Sequence, residues 1–247
     1  MSDIEFECDG EIGFVTLNRP EKRNAFSAEM RGELTRILRS DEVDELSALV
    51  LRAEGTVFSA GADLREVGTR DTWPSRAAAS HLLTAFRRTG PVVIAAVRGP
   101  ALGLGSGLAM ACDLVVAGES AQFGYPEVEH GLVAALTMVG LKELVGQRAA
   151  FELLVSGRRI DSAEALELGM VNEIVADDRV EARALELARQ IAARSGVATR
   201  TTKRFFYEIE DLTHAAAMHA GERVIELARR VRAEEKQREA EREGERR

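Results

Sequence analysis

Apolar and polar residues alternate over Ile4-Glu5-Phe6-Glu7-Cys8 and again over Ile12-Gly13-Phe14-Val15-Thr16-Leu17, with Asp9-Gly10 between the two runs. A two-residue period belongs to a strand, and Asp-Gly between two such runs signals a hairpin. Asn18 to Asn24 breaks the pattern. Ser27 is then placed to cap a helix whose apolar face is Met30, Leu34 and Ile37. Ala48 to Leu51 reads as a buried strand leading into the small-residue turn Gly55 to Leu64. Residues 68 to 76, with the only Trp (Trp73) and Pro74, read as a loop or lid, and an amphipathic helix is expected from about Ala77 to Arg88. The β-branched run Val92 to Val97 predicts a strand. Gly103, Gly105 and Gly107 follow as a glycine turn, ahead of the apolar segment Leu108-Ala109-Met110-Ala111. Strand, strand, helix thus appears at least twice, and Asp113 to Val116 opens a third round.

Beyond Gly131 the pattern becomes mostly helical. Val133 to Val145 and Arg148 to Val155 are apolar-rich, and Asp161-Ser162-Ala163-Glu164 reads as a variant capping box ahead of Ala165 to Gly169. Val171 to Val175 predicts a short strand, and three helices are expected from Arg179 onward. Glu235 to Arg247 alternates charges without apolar positions and is expected to be frayed or disordered.

Composition narrows the class. The 247 residues are 45% hydrophobic and 30% charged, enough for one domain with an appendage or two small domains. A net charge of −8, from 33 Lys+Arg against 41 Asp+Glu, argues against a general nucleic-acid surface. An acidic N-terminus and no apolar span of about twenty residues lead to the expectation of a cytoplasmic protein without a membrane segment. Cys8 and Cys112 make no disulfide framework, and His81, His130, His214 and His219 fall in no metal-binding spacing, so no metal is expected.

The stretch Gly99 to Gly131 carries the candidate chemistry. A glycine turn lets a ligand approach the main chain, and the helix behind it offers free N–H groups and the positive end of its dipole. That is a candidate cradle for an anion or for charge developing on oxygen. Downstream, Glu127 sits in Phe123-Gly124-Tyr125-Pro126-Glu127, where apolar neighbours favour the neutral acid and suit it to proton transfer. Leu108 breaks a GxGxxG dinucleotide loop, Leu104 breaks a GxSxG nucleophile elbow, and no P-loop lysine motif is present.

Several motifs in order resemble the crotonase (enoyl-CoA hydratase/isomerase) superfamily. They are Asn18-Arg19-Pro20 with Asn24-Ala25, Phe58-Ser59-Ala60-Gly61-Ala62-Asp63-Leu64, Ala101 to Gly107 followed by Ala111-Cys112-Asp113, Phe123 to Glu127, and Leu154 to Gly157 with the helix at Ala163 to Gly169. The resemblance implies an α/β spiral of ββα repeats over residues 1–190. A C-terminal helical segment over 191–247 would serve in trimers that pair into hexamers. It also implies an acyl-CoA thioester as substrate, with CoA part of that substrate and no separate cofactor. By the same resemblance the N–H groups of Ala62 and Leu104 form the oxyanion hole and Glu127 is the acid/base. Lys22, Arg23 and Ala25, with the backbone near Ala60, hold the adenosine end of CoA, and Asp63, Leu64, Gly103 and Gly105 complete the binding residues. Asp63 and Asp113 read on their own as structural acids, while Lys203 is either part of an amphipathic helix or the C-terminal lysine that the family often brings to CoA.

The chain also departs from the family. Gly107 stands where the best-known hydratases have a second glutamate, with Glu129 and His130 the nearest replacements in sequence. A lone glutamate is what the family's double-bond isomerases tend to show. Leu104 replaces a commoner glycine. Thioester hydrolysis, decarboxylation and non-catalytic CoA-ester binding on the same scaffold are the alternatives.

Overall fold

The computed structural model describes the backbone of residues 2–66 and 73–245 and the side chains of 2–66 and 79–233. The predicted hairpin forms from β1 (Ile4–Asp9) and β2 (Ile12–Leu17), with Gly10 at φ +60° in its turn. Ser27 caps α1 (Ala28–Leu38) by accepting from the N–H of Met30, and the face predicted from sequence, Met30, Leu34 and Ile37, is buried. A short α2 (Asp41–Asp44), capped by Ser40, leads into β3 (Ala48–Ala53).

The expected loop over 68–76 lies partly outside the described residues, and its remainder is helical: α3 spans Trp73–Arg88. Pro74 is the second residue of that helix, where a missing N–H costs nothing because first-turn N–H groups have no intrahelical acceptor. There follow β4 (Val92–Val97), β5 (Pro100–Leu102), α4 (Leu104–Ala111), β6 (Leu114–Gly118) and β7 (Gln122–Gly124). Of the three glycines expected to make one turn, only Gly103 turns the chain. Gly105 and Gly107 lie inside α4, where their bare faces let other segments press against the helix.

The helical region after Gly131 begins later than expected, with α5 (Thr137–Ser156), which Gly146 breaks at φ 77°, ψ 171° into the two segments the sequence suggested. Next come β8 (Arg159–Asp161), α6 (Ser162–Glu167) and β9 (Glu173–Val175). Asp161 does cap α6, accepting from Glu164 N at 2.9 Å, but the box is not reciprocal because the Glu164 carboxylate pairs with Arg158. The three C-terminal helices are α7 (Val180–Ala192), α8 (Gly196–Glu208) and α9 (His214–Glu245). The tail expected to fray is thus helical to Glu245, in keeping with the helix-favouring Glu, Arg, Lys, Gln and Ala that compose it.

A six-stranded sheet in the order β1-β2-β3-β4-β6-β9 is parallel except for the hairpin, and a smaller sheet has the order β5-β7-β8. Central strands of a parallel sheet are covered on both faces, which is why β3 and β4 read as unbroken apolar runs. Leu49, Leu51, Val93, Ala95 and Val97 face the main core with α1 and α3. Ala48, Val50, Ile94, Ala96 and Val116 face Val180, Ala184 and Ala188 of α7. Successive rounds place one strand in the large sheet and the next in the small one, and the small sheet forms the floor of the site. Among the described residues no helix is long and apolar enough to cross a membrane.

Candidate active site

Four separated segments lie side by side along that floor. Phe26 bridges Ala62 and Ser59 bridges Ala101, both in parallel sense, and Ala101 pairs with Phe123 across β5 and β7. The backbone bonds are Phe26 N to Gly61 O at 2.8 Å, Asp63 N to Phe26 O at 2.9 Å, Leu102 N to Ser59 O at 2.9 Å and Gly103 N to Gly124 O at 2.8 Å. Gly61 has φ +96°, and a Cβ there would stand 2.7 Å from Leu102 O and 3.4 Å from Leu104 N. The Gly61-Ala62 peptide is therefore in contact with the start of α4, an approach only glycine permits.

Because Phe26 uses Gly61 O and Asp63 N, the Ala62 N–H points to the other side of the bridge. It makes no hydrogen bond among the described residues. Neither does the Leu104 N–H, which is the first of α4. Two unbonded backbone donors thus come from adjacent segments, one of them at a helix N-terminus, the kind of group that can bind an oxygen bearing negative charge. The Leu104 side chain packs into the main core.

Glu127 follows Pro126 in a single 3-10 turn (Pro126–His130) and lies against the same helix start: a Cβ on Gly103 would stand 3.0 Å from its Oε1. Its Oε2 is buried without a hydrogen-bond partner. Burial pushes the Glu127 carboxyl above the usual carboxylate range, more than its own backbone N–H and the charge of His130 pull it down. The hydroxyls of Ser106 and Tyr125, 0% and 1% exposed as residues, are buried nearby and likewise unpartnered. The Tyr125 hydroxyl is held neutral, chiefly by burial and also by the Glu127 charge, against an opposing effect of Ser106.

The turn carrying Lys22, Arg23 and Ala25 is bound to this floor. Ala60 N donates to Arg23 O at 2.9 Å and Ser59 Oγ to Asn24 O at 2.8 Å. Arg23 and Asn24 both have φ +52°, an uncommon conformation for residues with side chains. Asn24 sustains it from a fully buried position, donating to Glu54 O and Val57 O and accepting from Arg19 N. The Arg23 side chain is exposed and that of Lys22 half-buried.

Other sequence candidates fall elsewhere. The Asp63 carboxylate is engaged with Arg19 at 3.0 Å and the N–H of Arg65. Against the cost of burial, these bonds hold it below the usual range. It braces the loop, while neighbouring Leu64 is exposed. Glu129 and His130 are also exposed, with Glu129 directed at Gly157. Lys203 is buried, pairing with Asp113 at 2.7 Å and donating to Pro91 O at 2.8 Å. Asp113 in turn accepts from Tyr207 and from Val93 N, so this network joins α8 to β4. Sequence reasoning missed the bracing roles of Arg19 and Ser59, the buried hydroxyls of Ser106 and Tyr125, and Thr137, whose side chain faces the bare surface of Gly107.

Two unbonded backbone N–H groups from adjacent segments, with a carboxyl group held against the same helix start, are features of enzymes that stabilise charge on a carbonyl oxygen while moving a proton. The enoyl-CoA hydratase/isomerase family model matches residues 7–245, and the chain belongs to that family. A Thermus thermophilus protein named as a candidate enoyl-CoA hydratase is 40% identical over 201 residues, 78% of this chain and 79% of its own length. The crystal structure of the enoyl-CoA hydratase of Mycobacterium smegmatis superposes with a TM-score of 0.88 at 29% identity, covering 92% of this chain and 91% of that one. A candidate enoyl-CoA hydratase from Thermobifida fusca, solved in complex with CoA, gives 0.83 at 32% identity and covers 94% and 93%. The fold is that of the crotonase enzymes, with a C-terminal helical segment.

Proposed function

We propose that the protein hydrates a 2-enoyl-CoA. The observation that supports this reading is that the unbonded N–H groups of Ala62 and Leu104 come from segments in contact, with the Glu127 carboxyl against the same helix start. The thioester oxygen sits between the two donors, which hold the negative charge as the enolate forms; one such donor is worth roughly 3–4 kcal/mol of transition-state stabilisation. Glu127, ionised, takes a proton from water as the water oxygen bonds to C3, and the resulting acid returns a proton to C2. Water is consumed and no other atom is gained or lost. Lys22, Arg23, Ala25 and Ala60 receive the adenosine end of CoA, whose phosphates suit the two cations. Asp63 supports this turn through Arg19, and Leu64, Gly103 and Gly105 border the acyl-thioester path. The enzyme names of the relatives agree with hydration.

Gly107 favours a second reading, isomerisation, in which a single carboxylate carries a proton between C4 and C2 without adding water. Purified protein assayed in parallel with a short 2-enoyl-CoA and a 3-enoyl-CoA separates the two. Loss of the conjugated double bond from the first supports hydration; conversion of the second with no hydration establishes isomerisation; release of free CoA or CO₂ establishes hydrolysis or decarboxylation. The same proposal includes a cytoplasmic homotrimer, single or paired into a hexamer. Its contact faces would be the exposed Val139, Phe151 and Val155 of α5 and Met218, Ile225 and Leu227 of α9. Light scattering on the eluting peak reads the assembly directly.

A further inference from the structure

Activation of water by one carboxylate leaves the second hydrogen of that water in need of an acceptor, and the geometry around α4 supplies one. Gly103 caps the helix and Gly107 lies one turn on, so the two share a face that has no side chains. The Glu127 carboxylate lies over Gly103. Over Gly107 lies Thr137, the first residue of α5: a Cβ on residue 107 would stand 2.3 Å from Thr137 Cγ2 and 3.0 Å from Thr137 Cβ. Thr137 therefore occupies the space into which a side chain at 107 would project. It is 7% exposed, and its hydroxyl donates only to Ala134 O, over a long 3.3 Å, which leaves the oxygen able to accept. Four residues, about 6 Å of rise, separate Gly103 from Gly107 along α4, so the Glu127 and Thr137 side chains lie over neighbouring turns of one helix. A water held between them would donate one hydrogen to the carboxylate and the other to the hydroxyl, each over about 2.7–2.8 Å.

We infer that Thr137 is the second polar residue of the reaction centre. Its hydroxyl accepts a hydrogen bond from the water that Glu127 Oε2 activates, and it holds the water oxygen towards C3. No proton passes to Thr137; the one transferred goes to Glu127, as in the hydration reading on which this inference rests. Glu129 and His130, exposed on the far end of their turn, have no part in it.

The test compares Thr137→Val, which keeps the shape against Gly107 but removes the hydroxyl, with Thr137→Ser, which keeps the hydroxyl. Two rates are read: hydration of a short 2-enoyl-CoA, and deuterium exchange at C2 of a saturated acyl-CoA, which uses Glu127 and the oxyanion donors but adds no water. Thr137→Val is expected to lower kcat for hydration roughly 10–100-fold with KM nearly unchanged, while C2 exchange stays near wild type and Thr137→Ser retains most of the hydration rate. Wild-type hydration in Thr137→Val overturns the inference, as does an equal loss of both rates in that variant. A wild-type protein that exchanges C2 protons but adds no water refutes the hydration reading and this role with it. One that does neither refutes the enolate mechanism as a whole. A crystal complex with an acyl-CoA gives an independent reading: a water shared by Thr137 Oγ1 and Glu127 is expected, and a Thr137 Oγ1 with no such neighbour overturns the assignment.

Discussion

The contact between Gly107 and Thr137 makes a quantitative prediction about stability. Replacing Gly107 with Ala inside α4 should by helix propensity alone stabilise the protein by up to about 1 kcal/mol. The new Cβ, however, would stand 2.3 Å from Thr137 Cγ2, more than an ångström inside the usual carbon–carbon separation of about 3.5–4.0 Å. Overpacking of a buried contact costs about 1–3 kcal/mol, so Gly107→Ala should gain nothing from its helix propensity and be net destabilising by up to about 2 kcal/mol. Truncating Thr137 removes the clash in steps. With Ala at 137 the nearest remaining atom is the Cβ at 3.0 Å, and with Gly it is the Cα at 3.8 Å. Gly107→Ala should thus be nearly neutral in the Thr137→Ala background and favourable in the Thr137→Gly background. The favourable coupling should reach about 1–3 kcal/mol, measured by urea denaturation of the single and double variants. A Gly107→Ala protein about 1 kcal/mol more stable than wild type, or a cycle without coupling, would show that Thr137 does not fill this space.

Four other outcomes follow from the same structure. Glu127→Gln should abolish turnover while CoA-ester binding, read by calorimetry, survives; a variant with wild-type rates removes Glu127 from the mechanism. The same substitution should raise stability at neutral pH but not in acid. As pH rises past the ordinary carboxylate range, the unfolded chain releases its Glu127 proton before the folded one does. Wild-type stability therefore falls until the raised folded pKa is passed. Equal pH profiles for the two proteins would contradict this burial effect. Lys203→Met should destabilise by about 3 kcal/mol in chemical denaturation, because it leaves the buried Asp113 carboxylate without its cation while Tyr207 and Val93 N stay bonded to it; a loss under about 1 kcal/mol would contradict it. Tyr125→Phe should leave stability within about 1 kcal/mol of wild type, since its buried hydroxyl is approached by Ser106 but makes no well-formed hydrogen bond. A loss above about 2 kcal/mol would mean that this hydroxyl is bonded.

Features governed by local chemistry were legible from the chain. The Asp9-Gly10 hairpin, the Ser27 and Asp161 caps, the continuous apolar strands β3 and β4, and the break at Gly146 each follow from neighbouring residues. So did the pairing of the Ala62 loop with the Leu104 helix start, because its motifs resemble those of a known family. What stayed hidden depends on contacts between distant segments. Gly105 and Gly107 read as turn residues because nothing near them in sequence reveals Ser59 and Thr137 packed on their bare faces. Lys203 read as part of an amphipathic helix or as a lysine for CoA, and its burial against Asp113 did not show because that partner lies ninety residues earlier. The start of α3 was misplaced because Trp73-Pro74 resembles a breaker, although a first-turn proline is compatible with a helix.

A crystal structure of the protein with a saturated acyl-CoA would show whether Ala62 N–H, Leu104 N–H and Glu127 form one reaction centre for a CoA thioester. In such a centre the thioester oxygen lies about 3 Å from both backbone nitrogens, with the Glu127 carboxylate facing C2. A thioester bound away from the Leu104 end of α4, or with its oxygen turned from Ala62, would contradict it.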